Sequence, residues 1–467
     1  MFDTIAAIAT GSGASAVGIV RVSGSSALTV ADSVFCTVND IRLKDAECRK
    51  MYYGKLSDID LCLCTISRAP NSYTGEDTVE FHCHGSPVVL VEVLHTLFKF
   101  GVRQALPGEF TKRAFLNGRM DLTQAEAVID LIEAETPGAA KNAVGQLQGS
   151  IGIKLDSIYN QLVDIMAHFH AVIDYPDEDI DEFDIQNYLK KLKSIDEELQ
   201  QLLDTFDRGK VLKNGIPTAI IGRPNTGKSS LLNALLGYER AIVTDVAGTT
   251  RDTVEEKVLI GNVLLRLIDT AGLRHTNDAV EKLGVDRTYA ALKSAGLVLL
   301  VIDGSKPLMH EDYDALRSIP PDIPKIAVVN KSDLPAVVDD RELKILEINC
   351  CSISALSGEG LSNLDDEIRK MFPVFACSQE HLPENNKQNP PVLSYQGELI
   401  TNTRQADVIS RASGYIRSTV SALTDSVTPD AVLTDIESAL TAVGEVTGKT
   451  IREDIISRIF ERFCVGK

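Results

Sequence analysis

A glycine-rich octapeptide, GRPNTGKS at residues 222–229, constrains the fold of this chain more than any other stretch. The apolar run PTAII precedes it and SLLNALLG follows it, so a strand, a loop and a helix are predicted in succession. The phosphate-binding pattern GxxxxGK[ST] requires this context, because backbone N–H groups and a helix N-terminus surround the phosphate. Lys228 is expected to reach the β- and γ-phosphate oxygens, and Ser229 to ligate magnesium. Alone, the octapeptide predicts an NTPase or a kinase.

Two segments after the octapeptide supply the other groups expected at a magnesium site. DVAGTTRD offers Thr249 and Thr250, and a threonine hydroxyl can complete the coordination of magnesium. LRLIDTAG places Asp269 at a strand end, where its carboxylate can hold magnesium-bound water, and positions Gly272 to donate to the γ-phosphate. The segments therefore favour hydrolysis of a nucleoside triphosphate.

Two later segments indicate that the base is guanine. IPKIAVVNKSD ends a predicted strand in Asn330, Lys331 and Asp333, and CSISALSG supplies a second base-contacting loop. The Asp333 carboxylate can accept hydrogen bonds from the N1–H and amine of guanine, whereas adenine would leave it unpaired, a discrimination of roughly 10⁴-fold. The region therefore resembles a Ras-like GTPase. The predicted nucleotide contacts are Asn225, Thr226, Gly227, Lys228, Ser229, Ser230, Thr244, Asp245, Val246, Ala247, Gly248, Thr249, Thr250, Asp269, Thr270, Ala271, Gly272, Asn330, Lys331, Asp333, Ser354, Ala355 and Leu356.

This region departs from the Ras pattern in two places. Leu273 fills the position of the glutamine that orients the attacking water, and leucine cannot do this. The candidates in the following loop are Arg274, Asp278 and Glu281. In the phosphate loop, Asn225 can donate a carbonyl oxygen to a monovalent cation lying against the phosphates. Such a cation could replace an arginine finger, which contributes about 10³ to 10⁵ in rate.

The whole chain divides into regions of different periodicity. Residues 1–118 mix short apolar runs with Gly and Pro turns and predict an α+β domain. Residues 119–210 are helical, 211–371 alternate strands with helices, and 372–467 return to helix after a polar linker. The predicted fold is a multidomain α/β plus α protein, in which a doubly wound, mostly parallel P-loop GTPase domain is inserted into a discontinuous helical domain. One predicted apolar helix face comprises Leu155, Ile158, Leu162, Ile165, Phe169 and Val172.

Composition limits the cellular setting and the partners. The net charge of −19 repels phosphate backbones at long range, so nucleic-acid binding requires a local basic patch or a partner. No apolar run is long enough to span a bilayer, and the nine scattered cysteines favour a reducing compartment, so a cytoplasmic location is expected. FHCHG with Cys62 and Cys64 does not predict a zinc site, because alternate residues of a strand face opposite ways.

The motifs together resemble one family, the MnmE (TrmE) tRNA-modification GTPases. The resemblance covers the whole chain, from ATGSGASAVGIVRVSG and NSYTGEDTVEFHCHG through PGEFTKRAFLNGRMDLTQAEAVIDLI to GEVTGKTIREDIISRIFERFCVGK. It implies a cytoplasmic homodimer that works with the flavoprotein MnmG on the wobble uridine of certain tRNAs. The implied reaction adds aminomethyl or carboxymethylaminomethyl groups at C5, with a formyl-tetrahydrofolate as one-carbon donor.

The resemblance also implies roles for particular residues. It assigns Ser229 and Thr250 as magnesium ligands, and Asp269 as the residue that holds a magnesium-bound water. The potassium ligands that it implies are Asn225, Thr244, Val246 and Thr249. The catalytic residues are Glu281, which orients water, with Lys228 and Thr250. The folate contacts are Arg21, Glu80, Arg119 and Lys467, with arginine at 119 in place of the family's lysine.

Cys464, in the segment FCVGK, requires separate treatment. Gly466 and Lys467 do not fit a prenylation signal, so a lipid anchor is disfavoured. The resemblance implies instead that Cys464 lies close to the one-carbon group and is needed for tRNA modification. The alternative for the whole chain is a regulatory or ribosome-assembly GTPase that uses hydrolysis only to time binding. A nucleotide-binding scaffold without catalysis is disfavoured, since the magnesium-site residues are all present.

Overall fold

The computed structural model describes residues 3–174, 185–238, 256–268, 292–338, 348–372, 397–425 and 427–466. The chain divides into two compact units. The first comprises residues 1–129, 145–200 and 407–467, and the second comprises residues 130–144 and 201–406. Among the described helices, none is long and apolar enough to cross a bilayer.

The N-terminal domain is built on a seven-stranded sheet in the order β3-β4-β5-β6-β2-β1-β7. Its helices are α1 (Ala27–Val34), α2 (Pro87–Lys99) and α3 (Glu109–Leu116), with a 3₁₀ turn at Leu43–Asp45. The α1 and α2 helices pack on one face of the sheet around a buried apolar core. The strands are β1 (Ile5–Ile8), β2 (Ser15–Ser23), β3 (Phe35–Thr37), β4 (Met51–Leu56), β5 (Asp60–Ser67), β6 (Thr78–Gly85) and β7 (Arg103–Gln104).

Strand alternation gives this sheet two different faces. In β6, the side chains of Phe81 and Cys83 are buried in the core, whereas Glu80 and His82 point to the opposite face and are partly exposed. No group of three His, Cys, Asp or Glu side chains suited to a metal ion occurs in the described part of the chain. The N-terminal region is therefore the predicted α+β domain, and we call the sheet face on which Glu80 and His82 are partly exposed the open face.

The first helical region contains α4 (Leu122–Ile132), α5 (Pro137–Leu147), α6 (Ser150–Asp174), α7 (Ile185–Leu203) and α8 (Phe206–Asn214). Asp121 caps α4, because its Oδ1 accepts from the backbone N–H of Gln124 at 2.8 Å. The apolar face predicted for α6 is confirmed at five positions, whereas the Val172 side chain lies outside the described residues. The five buried residues are Leu155, Ile158, Leu162, Ile165 and Phe169.

The change from helix to strand comes later than the sequence predicts. We predicted alternating strands and helices from about residue 211, but α8 continues to Asn214 and the first strand begins at Ile216. A side-chain carbon at Gly209 would lie 2.1 Å from the carbonyl oxygen of Ile400, so α8 packs directly against a segment distant in sequence.

The inserted domain has a six-stranded sheet in the order β13-β12-β11-β8-β10-β9. All neighbouring strands are parallel except β9, which pairs antiparallel with β10. Every residue of β11 is buried, as expected for a strand covered on both faces. The strands are β8 (Ile216–Ile221), β9 (Glu256–Ile260), β10 (Val263–Ile268), β11 (Leu297–Asp303), β12 (Lys325–Asn330) and β13 (Asn349–Ser352).

The helices described in this domain are α9 (Lys228–Tyr238), α10 (His310–Arg317) and α11 (Leu361–Met371). Two separate apolar clusters contain side chains from its strands, as in a doubly wound sheet. The chain then returns to helix in α12 (Thr403–Thr424), α13 (Pro429–Thr447) and α14 (Glu453–Phe460), and α13 packs along α6. The structure confirms the predicted fold class, with a GTPase-type domain inserted between two stretches of helix.

Candidate functional site

The phosphate loop joins β8 to α9 and uses glycine where the loop has no space for a side chain. Gly222 has φ +146°, and a side-chain carbon there would lie 2.4 Å from the carbonyl oxygen of Val301. Gly227 has φ +95°, and a side-chain carbon there would lie 2.1 Å from Asn330 Nδ2. Asn225 adopts the left-handed conformation that asparagine tolerates, with φ +62°. These restraints form the tight loop that the octapeptide predicts.

Lys228 is held inside this loop. Its Nζ donates to the carbonyl oxygens of Gly222 at 2.9 Å and Arg223 at 2.8 Å. Burial lowers the pKa of the Lys228 ammonium. Ser229 and Ser230 lie in the first turn of α9, and the N-terminus of a helix favours an anion. The loop therefore places the positive charge of Lys228 beside the N-terminus of α9.

Asn330 connects the phosphate loop to the base-contacting loops. Its Nδ2 donates to the carbonyl oxygen of Thr226 at 2.9 Å, and its Oδ1 accepts from the backbone N–H of Ala355 at 2.9 Å. Asn330 and Thr226 are both buried, so these bonds are shielded from water. Three segments that are distant in sequence are thus brought together at the carboxyl edge of the sheet, where α/β domains bind ligands.

Asp333 is oriented for recognition of a base. Ser354 Oγ donates to Asp333 Oδ1 at 2.6 Å, and the backbone N–H of Ser357 donates to Ser354 Oγ at 3.2 Å. Ser354 is fully buried, whereas Leu356 in the same loop is 88% exposed. The predicted base-reading residues therefore converge, with Leu356 at the outer edge.

A carboxylate that sequence reasoning missed also lies in this site. Asp303 ends β11, is 2% exposed, and its Oδ2 accepts from Lys331 Nζ at 2.7 Å. Its Oδ1 accepts from Ser305 Oγ at 2.6 Å and from the Ser305 backbone N–H at 3.1 Å. Burial acts to raise the pKa of Asp303, but the bonds from Lys331 and Ser305 outweigh burial and lower it. An aspartate at the end of an apolar strand is the sequence signal that could have identified Asp303.

Many of the predicted nucleotide contacts lie outside the described residues. The same holds for Leu273, Arg274 and Asp278, and for Lys467 of the predicted folate set. For these positions the sequence predictions stand as made. The nucleotide contacts in question are Thr244, Asp245, Val246, Ala247, Gly248, Thr249, Thr250, Asp269, Thr270, Ala271 and Gly272, and the predicted catalytic residue Glu281 also lies outside the described residues.

A second polar site lies on the open face of the N-terminal sheet. Arg21 on β2 and Glu80 on β6 are directly opposite one another, and Arg21 Nε lies 2.7 Å from Glu80 Oε1. The Arg21 guanidinium also lies 5.4 Å from the centre of the Tyr73 ring and 5.6 Å from that of Phe110. Burial raises the pKa of the Tyr73 hydroxyl. The site thus combines a cation, an anion and two aromatic rings, and sequence reasoning missed the rings.

The other described members of the predicted folate set lie around the same domain. A side-chain carbon on Gly75 would lie 3.3 Å from Cγ of Arg119, which puts Arg119 against the loop that carries Tyr73. The carbonyl oxygen of Cys464, a residue with an exposed side chain, accepts from the backbone N–H of Gly108 at 3.2 Å.

The residues after Cys464 also approach the strands of the second site. Gly466 has φ +101°, and a side-chain carbon there would lie 2.2 Å from the carbonyl oxygen of Ile8. Ile8 pairs with Val20, the neighbour of Arg21 on β2. The segment around Cys464 therefore packs on the N-terminal domain beside the strand that carries Arg21.

A mostly parallel sheet with a glycine-rich phosphate loop after β8 and an Asn-Lys-x-Asp loop after β12 defines a P-loop GTPase. Two sequence models cover nearly the whole chain. One, described as the MnmE helical domain, matches residues 122–464, and the other, the GTP-binding protein TrmE N-terminus, matches residues 4–119. The chain belongs to the MnmE (TrmE) family.

Individual relatives match along their full length. The tRNA modification GTPase MnmE of Thermoanaerobacter pseudethanolicus is 41% identical, with 100% of each chain covered. That of Clostridioides difficile is 40% identical, covering 100% of this chain and 99% of the relative. Among solved structures, the G domain of the T. maritima FeoB iron transporter is 30% identical with a TM-score of 0.25, covering 33% of this chain and 96% of that one.

Proposed function

We propose that this GTPase acts in tRNA modification together with the flavoprotein MnmG. In this proposal the pair adds aminomethyl or carboxymethylaminomethyl groups at C5 of the wobble uridine, and a formyl-tetrahydrofolate supplies the one-carbon unit. One observation carries the proposal: the chain pairs a guanine-nucleotide site with a second polar site, and Cys464 lies in a segment packed beside the latter. A GTPase that only times binding needs no such second site.

The nucleotide site has the donor chemistry for magnesium and potassium. Both are hard cations that prefer oxygen ligands. We propose that Ser229 and Thr250 hold magnesium, and that Asp269 accepts from its bound water. We propose that Asn225, with Thr244, Val246 and Thr249, holds potassium. Of these, Ser229 lies in the first turn of α9 and Asn225 is an exposed residue of the phosphate loop. Bound potassium would supply positive charge next to the phosphates, as an arginine finger does.

Three side chains carry the hydrolysis step in this proposal. Lys228 neutralises charge that develops on the phosphate oxygens, and its place in the phosphate loop supports that role. Glu281 orients the attacking water in place of the glutamine that Leu273 has displaced. Thr250 completes the magnesium shell. Glu281 and Thr250 lie outside the described residues, so both assignments rest on the family resemblance.

The second site has the chemistry to bind a folate. A folate carries an aromatic pterin ring, amide groups and a glutamate carboxylate tail. Arg21, held between Glu80 and two aromatic rings, can donate to carbonyls or carboxylates, and Glu80 can accept from pterin N–H groups. Arg119 adds a second guanidinium near the Tyr73 loop. We propose that Lys467 adds a third cation to this set.

The homodimer in this proposal is supported by the open face of the N-terminal sheet. Tyr53 and Leu63 are directly opposite one another on β4 and β5 and are 53% and 40% exposed. Leu61 on β5 and Val17 on β2 are 53% and 52% exposed. Contiguous exposed apolar side chains of this kind mark protein interfaces. We propose that a second copy of the chain covers this face.

The charge of the chain supports a division of labour with MnmG. A net charge of −19 disfavours extensive phosphate contacts by this protein alone. We therefore propose that the partner makes much of the contact with tRNA, and that the complex works in the cytoplasm.

The reconstituted reaction tests the proposal. The protein, MnmG, GTP, a one-carbon folate and unmodified tRNA are incubated, and the tRNA nucleosides are then quantified by mass spectrometry. We expect the modified uridine to appear only when GTP, folate and both proteins are present. Absence of product under all conditions, with GTP still hydrolysed, would favour a regulatory or ribosome-assembly GTPase.

Cys464→Ser isolates the contribution of the second site. We expect this variant to hydrolyse GTP at the wild-type rate but to lose tRNA modification, because Cys464 lies far along the chain from the nucleotide loops and beside Gly108. Cys36→Ser is the matched control, since Cys36 is also exposed but is on β3. Normal modification by Cys464→Ser would show that the thiol is dispensable.

A further inference from the structure

The strongest unassigned feature is the buried carboxylate of Asp303 at the end of β11. A carboxylate that is 2% exposed is costly unless it is paired and hydrogen-bonded. Asp303 meets this requirement through Lys331 Nζ at 2.7 Å and through two bonds from Ser305. The bonds from Ser305 lie within the turn after β11. The bond to Lys331 ties this turn to the base-contacting loop.

The backbone of Lys331 is in an unfavourable conformation. Its φ is +69°, a left-handed value that costs a residue with a side-chain carbon roughly 1 kcal/mol. Its carbonyl oxygen accepts from the backbone N–H of Leu334 at 3.0 Å, which closes the turn that contains Asp333. The ion pair fixes the other end of the same residue. Lys331 is thus restrained at both its backbone and its ammonium group.

The neighbouring backbone makes this connection rigid. Asp303 and Asn330 are directly opposite each other in the parallel β11–β12 ladder. The backbone N–H of Gly304 donates to the carbonyl oxygen of Asn330 at 2.8 Å, and that of Val337 donates to the carbonyl oxygen of Gly304 at 2.9 Å. The turn after β11 therefore holds the base-contacting loop on both sides of Asp333.

We infer that Asp303 is a positioning residue for guanine-nucleotide binding, acting through Lys331. Because its ammonium is fixed at Asp303, the four-carbon stem of Lys331 is restrained two residues before the base-reading Asp333. A preset stem offers a flat apolar surface to the ring without losing side-chain freedom on binding. Without Asp303, Lys331 has to be ordered by the nucleotide. Asp303 thus sets the affinity for the nucleotide.

The test compares binding with turnover in the full-length protein. The dissociation constant for fluorescent GDP and the KM and kcat for GTP are measured for wild type, Asp303→Asn, Lys331→Met and the double variant. Asp322→Asn is the control, because Asp322 is an exposed carboxylate in the loop before β12. For Asp303→Asn we expect the dissociation constant and KM to rise by about tenfold or more, with kcat at saturating GTP changed by less than about twofold.

The double variant separates positioning from a general structural role. If Asp303 acts through Lys331, the double variant binds GDP no more weakly than the single variant that has the lower GDP affinity. The inference is overturned if Asp303→Asn binds GDP with wild-type affinity. It is also overturned if the fold-increase in the dissociation constant of the double variant equals the product of the fold-increases of the two single variants. If Asp303→Asn does not fold, Asp303→Glu takes its place in the same comparison: wild-type GDP affinity overturns the inference, and weakened affinity that Lys331→Met does not weaken further supports it.

Discussion

At the scale of single residues, the nucleotide site depends on a few close contacts that leave no space for a larger side chain. Asn330 bonds to both Thr226 and Ala355, so its position is fixed by two loops. Gly227 lies against the amide of Asn330, where a side-chain carbon would be 2.1 Å away. The absence of a side chain at Gly227 is thus required for two loops to meet.

Gly227→Ala tests this contact. We expect the variant to lose measurable nucleotide binding while remaining folded, because the new methyl group displaces Asn330 and the φ of +95° is unfavourable for alanine. GDP binding is measured by fluorescence titration and folding by thermal unfolding. Gly237→Ala is the control, since Gly237 lies in α9 and a side-chain carbon there would meet no atom of another segment within 4 Å. That substitution should be neutral or stabilise by up to about 1 kcal/mol. Normal GDP affinity of Gly227→Ala would contradict the packing described.

At the scale of elements, patterns within one segment were predictable and contacts between distant segments were not. The octapeptide predicted the strand, loop and helix of residues 216–238, and the spacing of apolar residues predicted the buried face of α6. Both signals are local to the chain. The contact of Gly209 with Ile400 joins residues far apart in sequence, so the length of α8 was not predicted.

The same difference holds within the candidate sites. The residues of the Asn-Lys-x-Asp loop could be named because their spacing is a motif, and the structure brings them together with the phosphate loop. The pairing of Asp303 with Lys331 depends on strand order, which the sequence alone does not state. Tyr73 and Phe110 meet Arg21 for a comparable reason, since three separate segments fold onto one sheet face.

A pair of substitutions in α6 tests the predicted apolar face at this scale. Leu162 is fully buried and Ile153 is 69% exposed, although both lie on the same helix. We expect Leu162→Ala to lower the free energy of unfolding by about 2 to 5 kcal/mol, because it leaves a cavity in the helix packing. Ile153→Ala should change it by less than about 0.5 kcal/mol. Denaturant unfolding followed by circular dichroism measures both, and equal effects would contradict the assigned face.

At the scale of the whole molecule, the chain joins a guanine-nucleotide site in one compact unit to a distinct polar site in the other. Arg21, Glu80 and Cys464 belong to the first unit, and the phosphate and base loops belong to the second. Such a division fits an enzyme in which GTP hydrolysis drives a separate reaction. It also predicts that hydrolysis can be measured without tRNA or folate, on the protein by itself.

We propose that potassium supplies the positive charge of an arginine finger, and that Glu281 takes the role of the glutamine whose position Leu273 occupies. The most direct measurement is the rate of GTP hydrolysis by the full-length protein in potassium and in sodium at equal ionic strength, for wild type and Glu281→Ala. Since an arginine finger contributes about 10³ to 10⁵ in rate, a cation in its place should give stimulation of at least about tenfold. We expect potassium to stimulate the wild type, and Glu281→Ala to abolish that stimulation. Equal, slow rates in both salts would contradict the account.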